Sequence, residues 1–373
     1  MDNRVPHLAR LGCQPGLPAA ILVGGEGSLR KSSPKMAPGR CFRRQLPRKL
    51  SHVFVSKWCL GLAAVLLVSS AVRKWFLSPP LPATLALTDG TFTFYFNWSG
   101  YEAHFPHLQL YQCQEVIARD DVCQGSSEAP LLLLTIKSHP VSGGMRATLR
   151  RTWARPAEVG GFRLQPLFLM GSTFNQKHLE LVAQESRVYG DILMWDFVES
   201  HHNLSLKERC FLRWAHGHCQ QAAFVFKGEE DVFVNPAALT KFLRQTPNAS
   251  HFIHGYIHFH PAVKRIGRDA IPLSFFPLAH YPHFASEKGF LVPGAALPAL
   301  YQASLGLPTF PLCGAYWGFL ALAAQLPHQH SGDFRTWEKM QDHLTTYQRS
   351  LVVHGVPRER IEEVWRELRG SGQ

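Results

Sequence analysis

From residue 129 onward the chain repeats one pattern, in which short and almost wholly apolar runs alternate with amphipathic stretches. That alternation restricts the fold to the α/β class, with a mostly parallel sheet and helices on its faces. Residues 131–136 (LLLLTI), 166–170 (PLFLM), 191–197 (DILMWDF) and 222–227 (AAFVFK) are expected as strands. Between them, residues 145–153, 175–189 and 205–218 are expected as helices. Asn175 suits the cap of the second helix, and Leu179, Val182, Ala183 and Ser186 follow at helical spacing. The fourth strand runs into Gly228-Glu229-Glu230-Asp231. Open α/β sheets collect ligands beyond the carboxyl ends of their strands. Clustered carboxylates there suit a hard divalent cation, and a solvated acidic turn is the plainer alternative.

Charge divides the chain differently. Of the 373 residues, 39 are Lys or Arg and 27 Asp or Glu, a net +12. Residues 1–52 hold ten of the basic residues against Asp2 and Glu26, whereas residues 75–373 carry a net +1. So balanced a body excludes the basic face of a nucleic-acid binder. The Gly, Pro, Ser and Arg mixture of residues 1–52 reads as a disordered basic cytosolic tail. Residues 58–72 follow without a charge, and residues 53–77 are long enough for a signal-anchor transmembrane helix, with Lys57, Arg73 and Lys74 near its ends. Basic residues stay on the cytosolic side, so the remainder is expected in the lumen. Sequons at Asn97, Asn203 and Asn248 all lie beyond the apolar run, as do Cys113, Cys123, Cys210, Cys219 and Cys313. Cys113 with Cys123 and Cys210 with Cys219 are near enough in sequence to pair, although spacing leaves the connectivity open. Residues 78–125, opening on Ser78-Pro79-Pro80, read as a stem, and residues 126–373 as the catalytic domain. Trp153, Trp195 and Trp214 are expected in the core. His251, His254, His258 and His260 have spacings that could ligate zinc, although no local Cys joins them.

Several segments, taken in order, resemble the β-1,3-glycosyltransferases, and the N-acetylglucosaminyltransferase branch in particular. They are Leu-Leu-Thr-Ile-Lys-Ser (133–138), Arg150-Arg151-Thr152-Trp153, Leu-Phe-Leu-Met-Gly (167–171), Glu185-Ser186 and Gly-Asp-Ile-Leu-Met-Trp-Asp-Phe (190–197). Asn-Leu-Ser-Leu-Lys (203–207) and Phe-Lys-Gly-Glu-Glu-Asp-Val-Phe-Val-Asn (226–235) continue the series. The resemblance implies a Golgi single-pass type II membrane enzyme with a GT-A, Rossmann-like domain. Such an enzyme moves a sugar, GlcNAc or alternatively Gal, from a UDP donor to the 3-hydroxyl of a galactose-terminated glycan. The transfer inverts the anomeric centre and uses Mn2+. The family's Asp-x-Asp metal motif falls on Glu229, Glu230 and Asp231, with Asp231 the retained acid. Lys137, Ser138, Arg146 and Arg150 are the candidate donor contacts, and each arginine could instead be a structural charge. Subunit pairing, with itself or another transferase, is a further possibility for such enzymes.

Two departures fall where the chemistry belongs. The family's acidic pair, in a stretch resembling Phe-Pro-Ile-Asp-Asp-Val-Tyr-x-Gly, is replaced by Cys313-Gly314. Its glycine-rich loop after Tyr-Pro-x-Tyr becomes Ser286-Glu287-Lys288-Gly289, which should refashion the acceptor site. Either another group, Glu287 or Asp333, serves as general base, or the chain is a catalytically impaired relative that binds UDP-sugar, glycan or a partner. Family features return at Phe334-Arg335-Thr336 and Leu351-Val352-Val353-His354.

Overall fold

Strand β4 (Leu131–Lys137) is buried along all seven residues, as a strand covered on both faces must be. In the computed structural model, which describes residues 84–370 except 126, 127 and 339, together with 61, 63–66 and 69, it is the axis of the fold. It pairs in parallel with β6 (Phe162–Ser172) on one side and β8 (Ala222–Glu229) on the other. Side chains alternate across the sheet. Leu131 and Leu133 join one hydrophobic cluster, and Leu132, Leu134 and Ile136 join the other.

Among the described residues the sheet has nine strands. Beyond β6 lie β7 (Ile192–Val198) and then β3 (Glu115–Ile117), with β5 (Ala157–Val159) paired to β6. Beyond β8 lie β11 (Phe284–Pro293), β10 (Ile253–His258) and β12 (His328–His330). The expected mostly parallel sheet is therefore mixed: a parallel centre is flanked by antiparallel β11 and β3. The stretch expected as a loop around Ser286 is part of β11, held between Phe284 and Ala285, which pair with β10, and residues 289–293, which pair with β8.

Helices Gly143–Arg151, Gln176–Tyr189 and Leu204–His218 connect the central strands. Asn175 caps the second of these, accepting from Lys177 N at 3.0 Å, and Gly190 ends it at φ 67°, a left-handed conformation that glycine adopts without strain. A smaller sheet joins β13 (Phe334–Arg335), β14 (Val352–His354) and β9 (Val232–Val234). Trp153, Trp195 and Trp214 are buried, as expected of core residues.

The chain divides into two units, residues 1–79 and 80–373. Residues 84–125, expected as a stem, instead fold within the second unit. They form a hairpin, β1 (Leu85–Thr88) and β2 (Thr93–Phe96), and the helices Trp98–His104 and Pro106–Leu110. Phe94 and Phe96 pack edge-on against Phe319 of the Cys313–Ala323 helix. The disulfides Cys113–Cys210 and Cys123–Cys219 fasten this segment, with Cα separations of 5.2 and 5.3 Å. They replace the local pairings that the spacing suggested, because tertiary packing brings residues 97 and 96 positions apart into register. Closing a loop of about 100 residues contributes about 4–5 kcal/mol in the chain-entropy view. Cys313 is free and buried.

Asn97 and Asn248 are exposed, whereas Asn203 Nδ2 donates to Val198 O at 2.8 Å and its sequon partner Ser205 is buried. The tail of residues 1–52 and nearly all of the expected anchor, residues 53–77, lie outside the described residues. Among the described residues no helix is long and apolar enough to cross a membrane.

Candidate active site

Parallel register brings the ends of β4 and β8 together and sets Lys137 opposite Glu229. Lys137 Nζ lies 3.4 Å from Glu229 Oε1, while Lys288 of β11 reaches Oε2 at 2.8 Å. Burial would raise the Glu229 carboxyl, but the two ammonium groups prevail and hold it down to about 2. Burial likewise disfavours charge on Lys137. The carboxylates of Glu229, Glu287 and Glu208 outweigh it, and the lysine pKa rises well above its usual value.

Past Glu229 the backbone turns into β9, whose Val232 pairs with His354 of β14. That pairing carries His354 Nε2 to 3.2 Å from Asp231 Oδ2. Ligand atoms of Glu229, Asp231 and His354 all lie within 4.8 Å of one another. Asp231 Oδ1 is shielded from solvent and has no hydrogen-bond partner, an orphaned acceptor that a cation would satisfy. Two carboxylates with an imidazole suit a divalent ion such as Mn2+. Glu230, expected in this set, turns away and accepts from Ser138 Oγ at 2.5 Å, and burial raises its carboxyl. His354 takes the third place. It lies in the Leu351–His354 family motif, but nothing in its spacing from Asp231 signalled a shared site.

The expected donor contacts separate into two groups. Lys137 and Ser138 sit at the strand end beside the acids. Arg146 and Arg150 spend their guanidinium groups on buried acids. Arg146 forks onto Glu185 at 2.8 and 2.6 Å and also donates to Ser138 Oγ at 2.9 Å and His139 O at 2.7 Å. Arg150 binds Asp191 at 2.7 and 2.8 Å and Glu185 at 2.6 Å. Arg146 thereby braces the loop after β4, and Arg150 ties its helix to Glu185 and Asp191, so the structure gives both arginines the structural partners that were the alternative to donor contact.

Beside Glu229 opens a cavity of about 420 Å3 whose wall includes Ser286, Glu287, Lys288, Cys313, Gly314 and Trp337. The residues that replace the family's glycines thus reach into it, as their side chains led us to expect. Asp333 does not line it and is exposed, its carbonyl accepting from Leu351 N at 2.9 Å. Phe284 occupies the space next to Gly314, where an added Cβ would come within 2.8 Å of the ring. Burial pushes the Cys313 thiol well above its usual pKa, so it stays protonated. Under the wall, Glu208 pairs with Lys227 at 2.6 Å, both side chains being 1% exposed. No sequence pattern had singled out this pair.

The histidine-rich stretch builds no metal centre among the described residues. His254 Nε2 bonds Ala249 O, His260 pairs with Asp89 at 2.8 Å, and His258 lines the cavity.

Comparison with known proteins agrees with the motifs. The chain is 32% identical over 285 residues to UDP-GlcNAc:betaGal beta-1,3-N-acetylglucosaminyltransferase 7 of Rattus norvegicus, covering 71% of each chain. It is 32% identical over 277 residues to N-acetyllactosaminide beta-1,3-N-acetylglucosaminyltransferase 2 of Mus musculus, covering 71% of this chain and 69% of that one. Among solved structures, the galactosyltransferase LGTC in complex with donor and acceptor sugar analogues aligns at a TM-score of 0.34 and 11% identity, over 63% of this chain and 96% of that one. So low a score carries no argument. The match that decides covers residues 144–332, the span holding β6, β7 and β8, the acidic turn and most of the cavity wall, and by it the chain belongs to the galactosyltransferase family of glycosyltransferases.

Proposed function

We propose that this chain transfers N-acetylglucosamine from UDP-GlcNAc, in β-1,3 linkage and with inversion, to galactose-terminated glycans, as a type II Golgi membrane enzyme with a GT-A-type catalytic unit. The observation that carries the reading is the convergence of Asp231, Glu229 and His354 at a strand end linked, through Lys288 on Glu229, to the wall of a 420 Å3 cavity. The activities for which these relatives are named support donor and linkage. The basic residues 1–52, the apolar residues 53–77 and the sequons at Asn97 and Asn248 support the membrane and lumenal assignment. Glu229, Asp231 and His354 would hold the Mn2+, which when bound neutralises a diphosphate. The Lys137 and Lys288 ammonium groups supply further positive charge at the same edge, while Arg146, through Ser138, fixes the loop that frames it.

A second reading is a glycan- or UDP-sugar-binding relative with impaired catalysis, and the replacement of the acidic pair by Cys313-Gly314 favours it. One assay separates the two. The full chain is incubated with UDP-GlcNAc or UDP-Gal, Mn2+ and galactose-terminated acceptors, beside Asp231→Asn. Transfer by the parent that falls by about 10²-fold or more in the variant supports catalysis. Mn2+-dependent UDP binding with no transfer from either donor supports the binder.

A further inference from the structure

With the acidic pair replaced, the cavity's other carboxylates can be taken in turn. Asp269 is held by His201 at 2.9 Å, Lys264 at 3.0 Å and Arg268 at 3.5 Å. Glu208 is locked on Lys227 beneath the wall, and Asp333 lies outside. Glu229 and Asp231 belong to the metal corner. Glu287 is different. It is half-buried on β11 and lines the cavity beside Cys313, whose thiol is directed at Glu208 Oε1 at 3.8 Å. Lys137 from β4, Lys288 on its own strand and His258 from β10 stand within electrostatic reach, but both lysines direct their ammonium groups to Glu229.

We propose that Glu287 is the general base of the transfer, the role having moved from the start of the Cys313–Ala323 helix to strand β11. The proposal rests on the transferase reading above. In the step, the acceptor hydroxyl oxygen bonds to the anomeric carbon of the donor sugar while its proton passes to a Glu287 oxygen. The bond from the anomeric carbon to the phosphate oxygen breaks, and its electron pair leaves on the nucleoside diphosphate. Gly314, with no side chain, leaves the Phe284 ring as the neighbouring wall.

The test uses the full chain with Mn2+, the UDP-sugar it accepts and a galactose-terminated acceptor, comparing the parent with Glu287→Gln and Glu287→Asp. Loss of a general base lowers kcat by about 10²–10⁴-fold. That loss is expected in Glu287→Gln, with Mn2+-dependent UDP affinity by calorimetry unchanged. The acid limb of the parent's pH–rate profile should be missing from the residual activity, and Glu287→Asp should restore part of kcat together with that limb. A parent that transfers sugar while Glu287→Gln keeps its kcat within about threefold overturns the proposal and leaves the transferase reading standing. A parent that binds UDP and transfers nothing overturns both. Should Glu287→Gln fail to fold, the decision passes to Glu287→Asp: a folded, UDP-binding variant with no transfer at any pH also overturns it.

Discussion

The Glu208–Lys227 pair offers a demanding test of how the cavity wall is supported. Its charged atoms are 2.6 Å apart with 1% exposure on each side, so removing one partner strands a charge in the interior. Such a loss typically costs about 3–5 kcal/mol. The structure distinguishes the two single variants. Burial opposes the Glu208 carboxylate, but Lys227 and Lys137 together hold its pKa below the usual range. In Lys227→Met, Glu208 keeps Lys137 as a second cation, which places the cost at the low end, about 3 kcal/mol. In Glu208→Leu, Lys227 loses its carboxylate and retains chiefly the Phe211 ring, 3.8 Å from Nζ, with the repulsive Lys137 nearby. That places the cost at the high end, about 5 kcal/mol. At about 2–4 °C per kcal/mol, Tm should fall by about 6–12 °C and about 10–20 °C respectively. The double variant, apolar at both positions, should recover most of the loss, because no buried charge remains. Thermal unfolding of the full chain, followed by the fluorescence of buried Trp153, Trp195 and Trp214, measures all three. Single variants melting within about 2 °C of the parent, or a double variant losing the sum of the singles, would refute the assignment.

Two further outcomes follow from neighbouring features. Burial would raise Glu185, but Arg146 and Arg150 depress it below its ordinary 4.5, so its ion pairs stabilise fully above that pH and lose their effect as pH falls through the lower folded value. Glu185→Gln should therefore be less stable than the parent at pH 7 and show a shallower loss of stability below about pH 4.5 in denaturant titrations, and parallel pH profiles would contradict this. Gly314→Ala places a Cβ 2.8 Å from the Phe284 ring and should destabilise by about 1–3 kcal/mol; unchanged unfolding would mean that the ring yields freely.

Much of the central layer was legible in the chain because local patterning is enough to specify it. The run LLLLTIK admits little but a strand covered on both faces, and Asn175 caps the helix it precedes. The acidic turn was legible for the same reason: a strand ending in carboxylates exposes them at the sheet edge. The order of motifs likewise disclosed the family, since ordered matches depend on sequence and not on coordinates. The fate of residues 84–125 was not legible, because Phe94 and Phe96 acquire their burial from a helix more than two hundred residues later.

What tertiary structure alone decided is which polar groups share a space. Arg146 and Arg150 stood open in the sequence between ligand contact and structural charge, and only the fold brought Glu185 and Asp191 to their donors. Glu230 was indistinguishable from its neighbours until the turn after β8 aimed it at Ser138. His354 became Asp231's partner only through the pairing of β14 with β9, and Glu287 came to line one cavity with Cys313 only because β11 inserts beside β8. Sequence determines each residue's chemistry and its local conformation, since both depend on near neighbours. Charge pairing and access to the cavity depend on separations of a few ångströms between strands distant along the chain, and those are fixed only when the sheet closes its order.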